Sequence, residues 1–496
     1  SGNSLSLILT GNATNSGAIE AVTDIALTAL RYEAKTNDSV LAAPTINIDV
    51  TDFDNEGLVT AFLGNGLTLN SGNFSNASGG IIQSDAISLT IAAATINNGR
   101  VSSTGDLNIA SGGTLSNDGE IATANSITVD AAGYNSTKTT ALLASKLVTL
   151  TLSGDFANAG EISADEGVSI TQTSGDFNNS GSLLSSADIT LTGSRNAINS
   201  GDIIAFQTLG FAASGSLRNS GKIASAEDLL LASDSLSNAG TLQAGTLLGI
   251  TTKTVINNGS LIADGAVLKV DTETFENTSS GRIEASLAIL RASQWISNAG
   301  DVRSTGIVFF DTASLTNNGR VEAATIFAGA GVSGPVNGYD LTTSYQLANM
   351  SLGATSQTIA TDAVVIETDR LVQAAGAELA SDQDLFLTLR VGDWSGSLSA
   401  INDLRLDVAG SINSSSVVAG NDLELIAGDD ITNTLGEILV GNNMRLEAGG
   451  TISNLSGTIE ADTGEASITA GTINLRDGTV LSEVNGGTLS FSADAI

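Results

Sequence analysis

Cysteine and histidine are entirely missing from this sequence of 496 residues. Without cysteine, the chain has neither disulfides nor thiolate metal sites. Without histidine, it lacks the base of Ser-His-Asp and Cys-His nucleophilic sites, and it also lacks the imidazole ligand of many metal centres. An enzyme built on this chain would have to rest on paired carboxylates alone. We therefore expect no catalytic site, no metal centre and no bound cofactor.

Proline, aromatic residues and positive charge are also scarce. The sequence has 2 prolines and 4% aromatic residues, and its 19 basic residues face 53 acidic ones, for a net charge of −34. Such a surface repels nucleic acid and anionic membranes, so neither is an expected partner. No apolar run reaches the roughly eighteen residues of a transmembrane helix. The scarcity of rings suits a narrow protein interior with little room for aromatic side chains, from which we expect tyrosine to be excluded.

One phrase recurs about every twenty residues: an apolar residue, Asn, one or two small residues, Gly and a second apolar residue. It is found at Leu115–Ile121, Phe156–Ile162, Leu217–Ile223 and Leu236–Leu242. Its glycines lie at positions 99, 119, 160, 181, 201, 221, 240, 259, 281, 300 and 319. A fixed period of this length is typical of a solenoid.

Between the glycines, apolar and polar residues alternate, as in Asp106–Ala110, Val148–Leu152 and Asp188–Thr192. Strands produce this pattern because successive side chains point to opposite faces. Three short strands in roughly twenty residues predict one coil of a parallel β-helix, so the fold class is all-β. We expect the alternating apolar residues to point inward: Leu107, Ile109, Ile127, Val129, Leu229 and Leu231. The recurring Asn should pass amide hydrogen bonds from coil to coil, and the Gly should supply positive φ at corners.

Three stretches lose the repeat. We predict coils over 1–323 with irregular insertions near 31–49 and 133–146, an insertion or extra-helical element over 324–372, and coils again over 373–496. Neither end reads as a cap, so we expect the coils to continue beyond this sequence. Both prolines and all four tyrosines lie in the three breaks.

The longest break contains the candidate contact surface, which is Pro335, Tyr339 and Tyr345. Insertions in a solenoid often carry recognition, because the coils supply rigidity and the loop supplies chemistry. The alternative is a spacer that only adjusts the register between two stretches of coils.

Two charged columns are predicted near the C-terminal end. Aligning the strands puts Arg405, Glu424 and Arg445 in a ladder of alternating charge, with a small stabilising effect. The same alignment puts three like charges in a row: Asp384, Asp403 and Asp422. Either these carboxylates splay into solvent or a divalent cation lies between them, although the calcium-binding Gly-Gly-x-Gly-x-Asp repeat does not occur.

The Asn-x-Gly-x-Ile-x-Ala units alternating with Leu-x-Leu strands resemble the repeat region of filamentous haemagglutinin-like exoproteins of two-partner secretion. The resemblance is closest over Ile96–Ala323 and Gly376–Leu475. It implies a right-handed β-helix, export as an unfolded chain through an outer-membrane transporter, and a secreted protein displayed at the outer-membrane surface of a Gram-negative cell. The absence of cysteine suits that passage, since a cross-linked loop would resist threading.

These observations favour a rigid stalk of a bacterial adhesin or contact-dependent growth-inhibition effector. Its partner would be a receptor or glycan on a host or neighbouring cell. Two alternatives stay open: a glycan-binding or glycan-cleaving β-helix of the lyase or tailspike type, and a self-assembling structural filament. A deep groove lined by Asp, Arg and Lys on one lateral face would favour the first alternative.

Overall fold

The computed structural model describes residues 2–331, 336, 338–339, 341–482 and 489–495, and all its regular secondary structure in these ranges is β-strand. The chain divides into two compact units, Ser1–Gly245 and Thr246–Ile496. Each unit is a solenoid of parallel strands, with coils of roughly 20 residues. The predicted all-β solenoid is confirmed, while its right-handed winding stays a prediction.

The described part of the first unit contains twenty-eight strands. These are β1 Gly2–Ile8, β2 Asn12–Asn15, β3 Ala18–Ala34, β4 Val40–Ala42, β5 Thr45–Asn55, β6 Leu58–Ala61, β7 Gly66–Asn76, β8 Ile81–Ser84, β9 Ile87–Ile91, β10 Thr95–Asn97, β11 Arg100–Ser103, β12 Leu107–Asn117, β13 Glu120–Thr123, β14 Ser126–Ser136, β15 Leu142–Leu152, β16 Phe156–Asn158, β17 Glu161–Gln172, β18 Phe177–Asn179, β19 Ser182–Ser185, β20 Asp188–Ser194, β21 Ala197–Asn199, β22 Asp202–Ala205, β23 Leu209–Ala213, β24 Ser216–Asn219, β25 Lys222–Ser225, β26 Asp228–Ala232, β27 Ser235–Asn238 and β28 Thr241–Ala244.

The described part of the second unit continues in the same way. Its strands are β29 Leu247–Thr251, β30 Thr254–Asn257, β31 Ser260–Ala263, β32 Val267–Asn277, β33 Arg282–Asn298, β34 Asp301–Thr312, β35 Ser314–Asn317, β36 Arg320–Ala328, β37 Asn349–Leu352, β38 Gln357–Gln373, β39 Glu378–Ser381, β40 Asp384–Trp394, β41 Ser397–Ala400, β42 Leu404–Val408, β43 Ile412–Ala419, β44 Leu423–Ala427, β45 Ile431–Val440, β46 Met444–Ala448, β47 Thr451–Leu455, β48 Thr458–Ala461, β49 Ala466–Asn474, β50 Thr479–Ser482 and β51 Leu489–Ala495.

A single coil consists of three strands, as in β25, β26 and β27. Each pairs in parallel with the equivalent strand of the preceding coil, β22, β23 and β24. The register places Ile223 on Ile203 and Leu229 on Leu209, so each inward side chain lies on an equivalent one. The interior of a unit is therefore a set of apolar columns that follow the coils.

The side chains predicted to face this interior are buried. The six residues are at most 2% exposed: Leu107, Ile109, Ile127, Val129, Leu229 and Leu231. Burying a Leu, Ile or Val side chain contributes about 1.5–3 kcal/mol. The period-two pattern therefore predicted both the strands and their orientation correctly.

The recurring Asn residues form ladders of side-chain hydrogen bonds, as predicted. In the first unit, each amide Nδ2 donates to the Oδ1 of the next coil at 2.8–2.9 Å, along Asn55–Asn76–Asn97–Asn117 and Asn158–Asn179–Asn199–Asn219–Asn238. The second unit has the ladder Asn257–Asn277–Asn298–Asn317 and the pair Asn433–Asn454. These amides are buried, and their side-chain hydrogen bonds offset the cost of removing them from water.

The repeat glycines have a different role from the expected one. None of those at 119, 181, 201, 221, 240, 300 and 319 has a positive φ. Instead, a Cβ built on Gly201 would collide with the carbonyl oxygen of Gly181, and a Cβ on Gly221 would collide with that of Gly201. Glycine is required because the corners of successive coils approach too closely for any side chain.

Aromatic rings occupy the interior, so the expectation that tyrosine is excluded was wrong. Tyr32 stacks on Phe53 with a centroid distance of 5.4 Å, and Phe53 stacks on Phe74 at the same distance. A second stack runs through Tyr134, Phe156 and Phe177, with centroid distances of 5.4 and 4.7 Å. The rings fit because the spacing of the coils, about 4.8 Å, is close to that of stacked rings.

The predicted insertions are much shorter than expected. Within 31–49, Tyr32 and Ala34 belong to β3 and pair with β5, and only 35–39 separates β3 from β4. Within 133–146, only 137–141 lies between β14 and β15. Within 324–372, β36 and β38 pair with neighbouring coils, and the segment from Thr358 onward rejoins the solenoid. The described residues between Ala328 and Asn349 lie outside the coils, and β37 belongs to a coil again.

The Asn ladders should respond sharply to a single deletion. Asn199→Ala removes the acceptor of Asn179 and the donor to Asn219, leaving two buried polar groups without their ladder partners. We expect the free energy of unfolding to fall by about 2–4 kcal/mol, measured by denaturant titration. The control is Asn108→Ala, on an exposed outer position of β12. Equal effects of the two substitutions would contradict a stabilising role for the ladder.

The burial of Tyr134 predicts that the stability of the fold decreases at high pH. Desolvation raises the pKa of its phenol from 10.0 to about 12. The folded state favours the protonated phenol. Tyr134 therefore makes its full contribution to stability below pH 10, and this contribution is lost as the pH rises through the pKa of the folded state. In the parent, the free energy of unfolding should fall by about 2–3 kcal/mol between pH 10 and 12, and Tyr134→Phe should abolish this fall. Tyr345→Phe, at a half-buried tyrosine, is the matched control substitution.

Candidate functional site

The segment between β36 and β37, called here the 329–348 loop, folds back over the outer face of its own unit. Its described residues are 329–331, 336, 338–339 and 341–348. Leu341 is fully buried in a cluster with Leu287, Ile289 and Phe309. The loop therefore covers an apolar patch on the outside of the sheet.

This patch exists because outward positions of β33 and β34 are apolar. In most coils those positions carry polar residues, such as Thr128 and Asp130 in β14. Here the register brings Leu287 onto Ile307 and Ile289 onto Phe309, while the alternate residues face the interior. A strand buried on both faces has a continuous apolar run rather than alternation.

A buried carboxylate attaches the loop to the sheet. Asp311 is inaccessible to solvent, and its Oδ2 accepts a hydrogen bond of 2.7 Å from Nε of Arg291. The backbone N–H groups of Ser344 and Tyr345 donate to the same carboxylate at 2.9–3.0 Å. Nη2 of Arg291 also donates to the carbonyl of Thr342 at 3.2 Å. The carboxylate thus has the several donors that a buried charge needs.

The structure gives intramolecular roles to two residues of the predicted contact surface. Tyr339 packs half-buried against the apolar cluster, and its backbone exchanges hydrogen bonds of 2.8 and 2.9 Å with Val336. Tyr345 is half-buried, and its N–H donates to Asp311. Pro335 lies outside the described residues. Recognition through this loop stays a prediction, and Thr342–Ser344 are among its exposed residues.

The predicted charge ladder is confirmed. Arg405 Nη1 lies 3.1 Å from Glu424 Oε2, and Arg445 Nη1 lies 2.6 Å from Glu424 Oε1. Burial is partial, so each pair contributes only a few tenths of a kcal/mol up to about 1 kcal/mol.

A larger arrangement of alternating charges lies in β33, β34 and β36 and was not predicted from the sequence. Arg282, Asp301 and Arg320 form one column, and Glu284, Arg303 and Glu322 form the next. Charges alternate along and across the columns, with Arg303 2.9 Å from Asp301 and Arg320 2.9 Å from Glu322. The signal was the sequence Arg-x-Glu, Asp-x-Arg, Arg-x-Glu directly after three successive repeat glycines.

The side chains of Asp384, Asp403 and Asp422 are partly buried rather than splayed into solvent, and a cation between them stays a prediction. Asp384 Oδ1 accepts a hydrogen bond of 2.6 Å from Asn402, and Asp403 Oδ1 accepts one of 2.7 Å from Asn421. Each carboxylate therefore bonds a side-chain amide of the next coil. Among the described residues, no group of three or more acidic side chains is placed to hold a metal ion.

Within the described ranges, none of the chain forms a helix of the length and apolarity needed to cross a membrane. No protein-family description, curated protein or solved structure matches the chain. Its function must therefore be argued from the coils, the loop and the surface.

The hydrogen bonds of Asp311 predict that removing its charge releases the 329–348 loop. Asp311→Asn keeps the shape but removes the charge facing Arg291 and the Ser344 and Tyr345 N–H groups. We expect a loss of about 2–4 kcal/mol in the free energy of unfolding, and faster amide hydrogen exchange over 341–348. Asp407→Asn is the control, because Asp407 is 42% exposed and 3.7 Å from Arg405. Unchanged exchange in the Asp311 variant would show that the carboxylate does not hold the loop.

Proposed function

We propose that this protein is the rigid stalk of a secreted bacterial adhesin or contact-dependent inhibition effector, displayed at the outer-membrane surface of a Gram-negative cell. The observation that carries the proposal is the equivalence of successive coils. Hydrophobic columns, Asn ladders and repeat glycines continue from one coil to the next with the same residue types. Such a design adds length without changing the local structure.

Two physical properties of the coils support a spacer. Each coil is held mainly by its two neighbours, so stability is close to a sum of local terms. Each added coil extends a stack by about 4.8 Å, the distance between paired strands. The interior ladders and ring stacks resist sliding, because a shift by one residue would move apolar side chains to the outer face.

The chain chemistry also fits the proposed route to the surface. A chain without cysteine has no cross-links to hinder its passage through a transporter as an unfolded polypeptide. Once outside, local coil stacking provides folding energy without disulfides. The partner would be a receptor or glycan on the target cell, and the proposal includes no catalytic step.

Extra coils provide the test. We insert one to six additional copies of Asp202–Gly221 after Gly221, because Asp202 and Lys222 have equivalent positions in successive coils. Dyes on Ala124→Cys and Glu227→Cys, both exposed positions, report the separation by energy transfer. We expect about 4.8 Å of added separation per copy and unchanged cooperativity of unfolding. Insertion of only Asp202–Phe211 is the control and should disrupt folding, since it breaks the register.

The same variants test the biological role. Each is fixed by its N-terminal end to beads bearing a polymer brush and carries an epitope at the C-terminal end. A stalk predicts that antibody capture through the longest brush rises with the number of coils. Capture that is independent of coil number, or a separation that does not grow, would contradict the proposal. Concentration-dependent polymers in light scattering would favour the filament instead.

A further inference from the structure

The first unit has an open groove of about 760 Å³ on its outer surface. It crosses six coils, from β11 to β22. Its floor is one column of outward-facing residues with small side chains at one end and larger apolar ones at the other: Ser102, Ala122, Ala144, Ser163, Leu184 and Ile204. Five steps of about 4.8 Å make the floor roughly 24 Å long, enough for several sugar rings.

One end of the groove is polar and the other end is apolar. Arg100 and the half-exposed hydroxyl of Ser102 lie at one end, and the hydroxyl of Ser163 lies near the middle of the floor. At the other end Phe206 is 69% exposed, beside Leu184 and Ile204. A large exposed ring is costly to leave in water and is a common element of binding sites. Together these groups offer hydrogen bonding and an apolar platform to one extended ligand.

The backbone of the floor argues against a peptide strand as that ligand. The floor strands β13, β15, β17 and β19 each pair with a coil before and a coil after. Their N–H and C=O groups are therefore used within the solenoid, and no sheet edge is open for strand addition. Recognition must use side chains, as it does for sugars, whose hydroxyls and C–H faces match hydroxyl groups and an aromatic ring.

The charges of the groove argue against a polyanion. Arg100 lies 3.2 Å from Glu120, and Lys146 lies 3.8 Å from Glu166, so both cations already face carboxylates. Asp165 also lines the groove, and the whole chain carries a net charge of −34. A sulfated or uronate-rich glycan would be repelled by this field.

The second unit supplies an internal comparison. A recess of about 700 Å³ lies at the equivalent position, lined by Glu284, Arg303 and Glu322. These side chains belong to the paired charge columns: Arg303 lies 3.8 Å from Glu322, and Glu322 lies 2.9 Å from Arg320. The first unit instead places small residues and an exposed ring there.

We propose that the groove from Ser102 to Phe206 binds a linear neutral oligosaccharide, with Phe206 stacking on a sugar ring and the serine hydroxyls bonding its hydroxyl groups. The proposal rests on the proposed adhesin function and names the class of surface ligand. It requires no reaction at the glycan.

Binding of defined glycans to the full chain tests the proposal. The probes are cellotetraose, chitotetraose and maltotetraose, with a heparin tetrasaccharide as the acidic comparison, measured by calorimetry. We expect at least one neutral probe to bind, and Phe206→Ala to weaken its binding by roughly tenfold. Ala144→Leu, which fills the floor, should weaken it as well. Phe386→Ala, an exposed aromatic of the second unit, is the matched control and should bind like the parent.

The outcomes separate the two proposals. Binding by none of the neutral probes, binding only by the heparin fragment, or binding unaffected by both groove variants would overturn the glycan assignment. Melting temperatures of Phe206→Ala and Ala144→Leu establish that the fold is intact. The lengthening experiment measures the separation of two labels and not glycan binding, so a failed groove leaves the stalk proposal standing, and a failed stalk does not alter the binding result.

Discussion

In-register parallel pairing is the constraint on which this structure depends. Each residue lies about 4.8 Å from its equivalent in the next coil, so every side chain must tolerate a neighbour of its own kind. Leucines and isoleucines meet that condition by dispersion and burial, amides by mutual hydrogen bonds, and rings by stacking. Glycine meets it at the corners by having no side chain. Stacked like charges need polar partners, as the carboxylates of Asp384 and Asp403 have in Asn402 and Asn421, and opposite charges alternate along the ladder through Glu424.

Several features that depend on this neighbour rule were predicted from the sequence. Period two and the twenty-residue phrase were sufficient for the strands, the inward residues, the Asn ladders and the ladder of Arg405, Glu424 and Arg445. Aromatic residues were misjudged because ring size was weighed for one coil, whereas stacking between coils decides the fit for Tyr32 and Tyr134. The glycines were assigned a torsional role because close approach between corners cannot be read from local sequence.

The 329–348 loop was only partly predictable. Its glycines and Pro335 marked a departure from the coils, but its position depends on a buried patch formed by residues from Val267 to Phe309. A signal was present in the uninterrupted apolar runs around Leu287 and Phe309, which indicate a strand covered on both faces. Asp311 gave no such signal. In the sequence, a carboxylate after Phe310 looks like an ordinary strand end, and its role depends on the loop backbone that donates hydrogen bonds to it.

The Asn ladders have a direction as well as a strength. Every amide donates toward the later coil and accepts from the earlier one, so the side-chain dipoles within a ladder are aligned. Aligned hydrogen bonds polarise one another, as they do along a helix axis. At the later end of two ladders the last amide donates to a different kind of group, Asn117 to the carbonyl of Leu142 and Asn317 to the hydroxyl of Thr358. The electrostatic polarity of the interior therefore follows the direction of the chain, even though its columns are built from neutral residues.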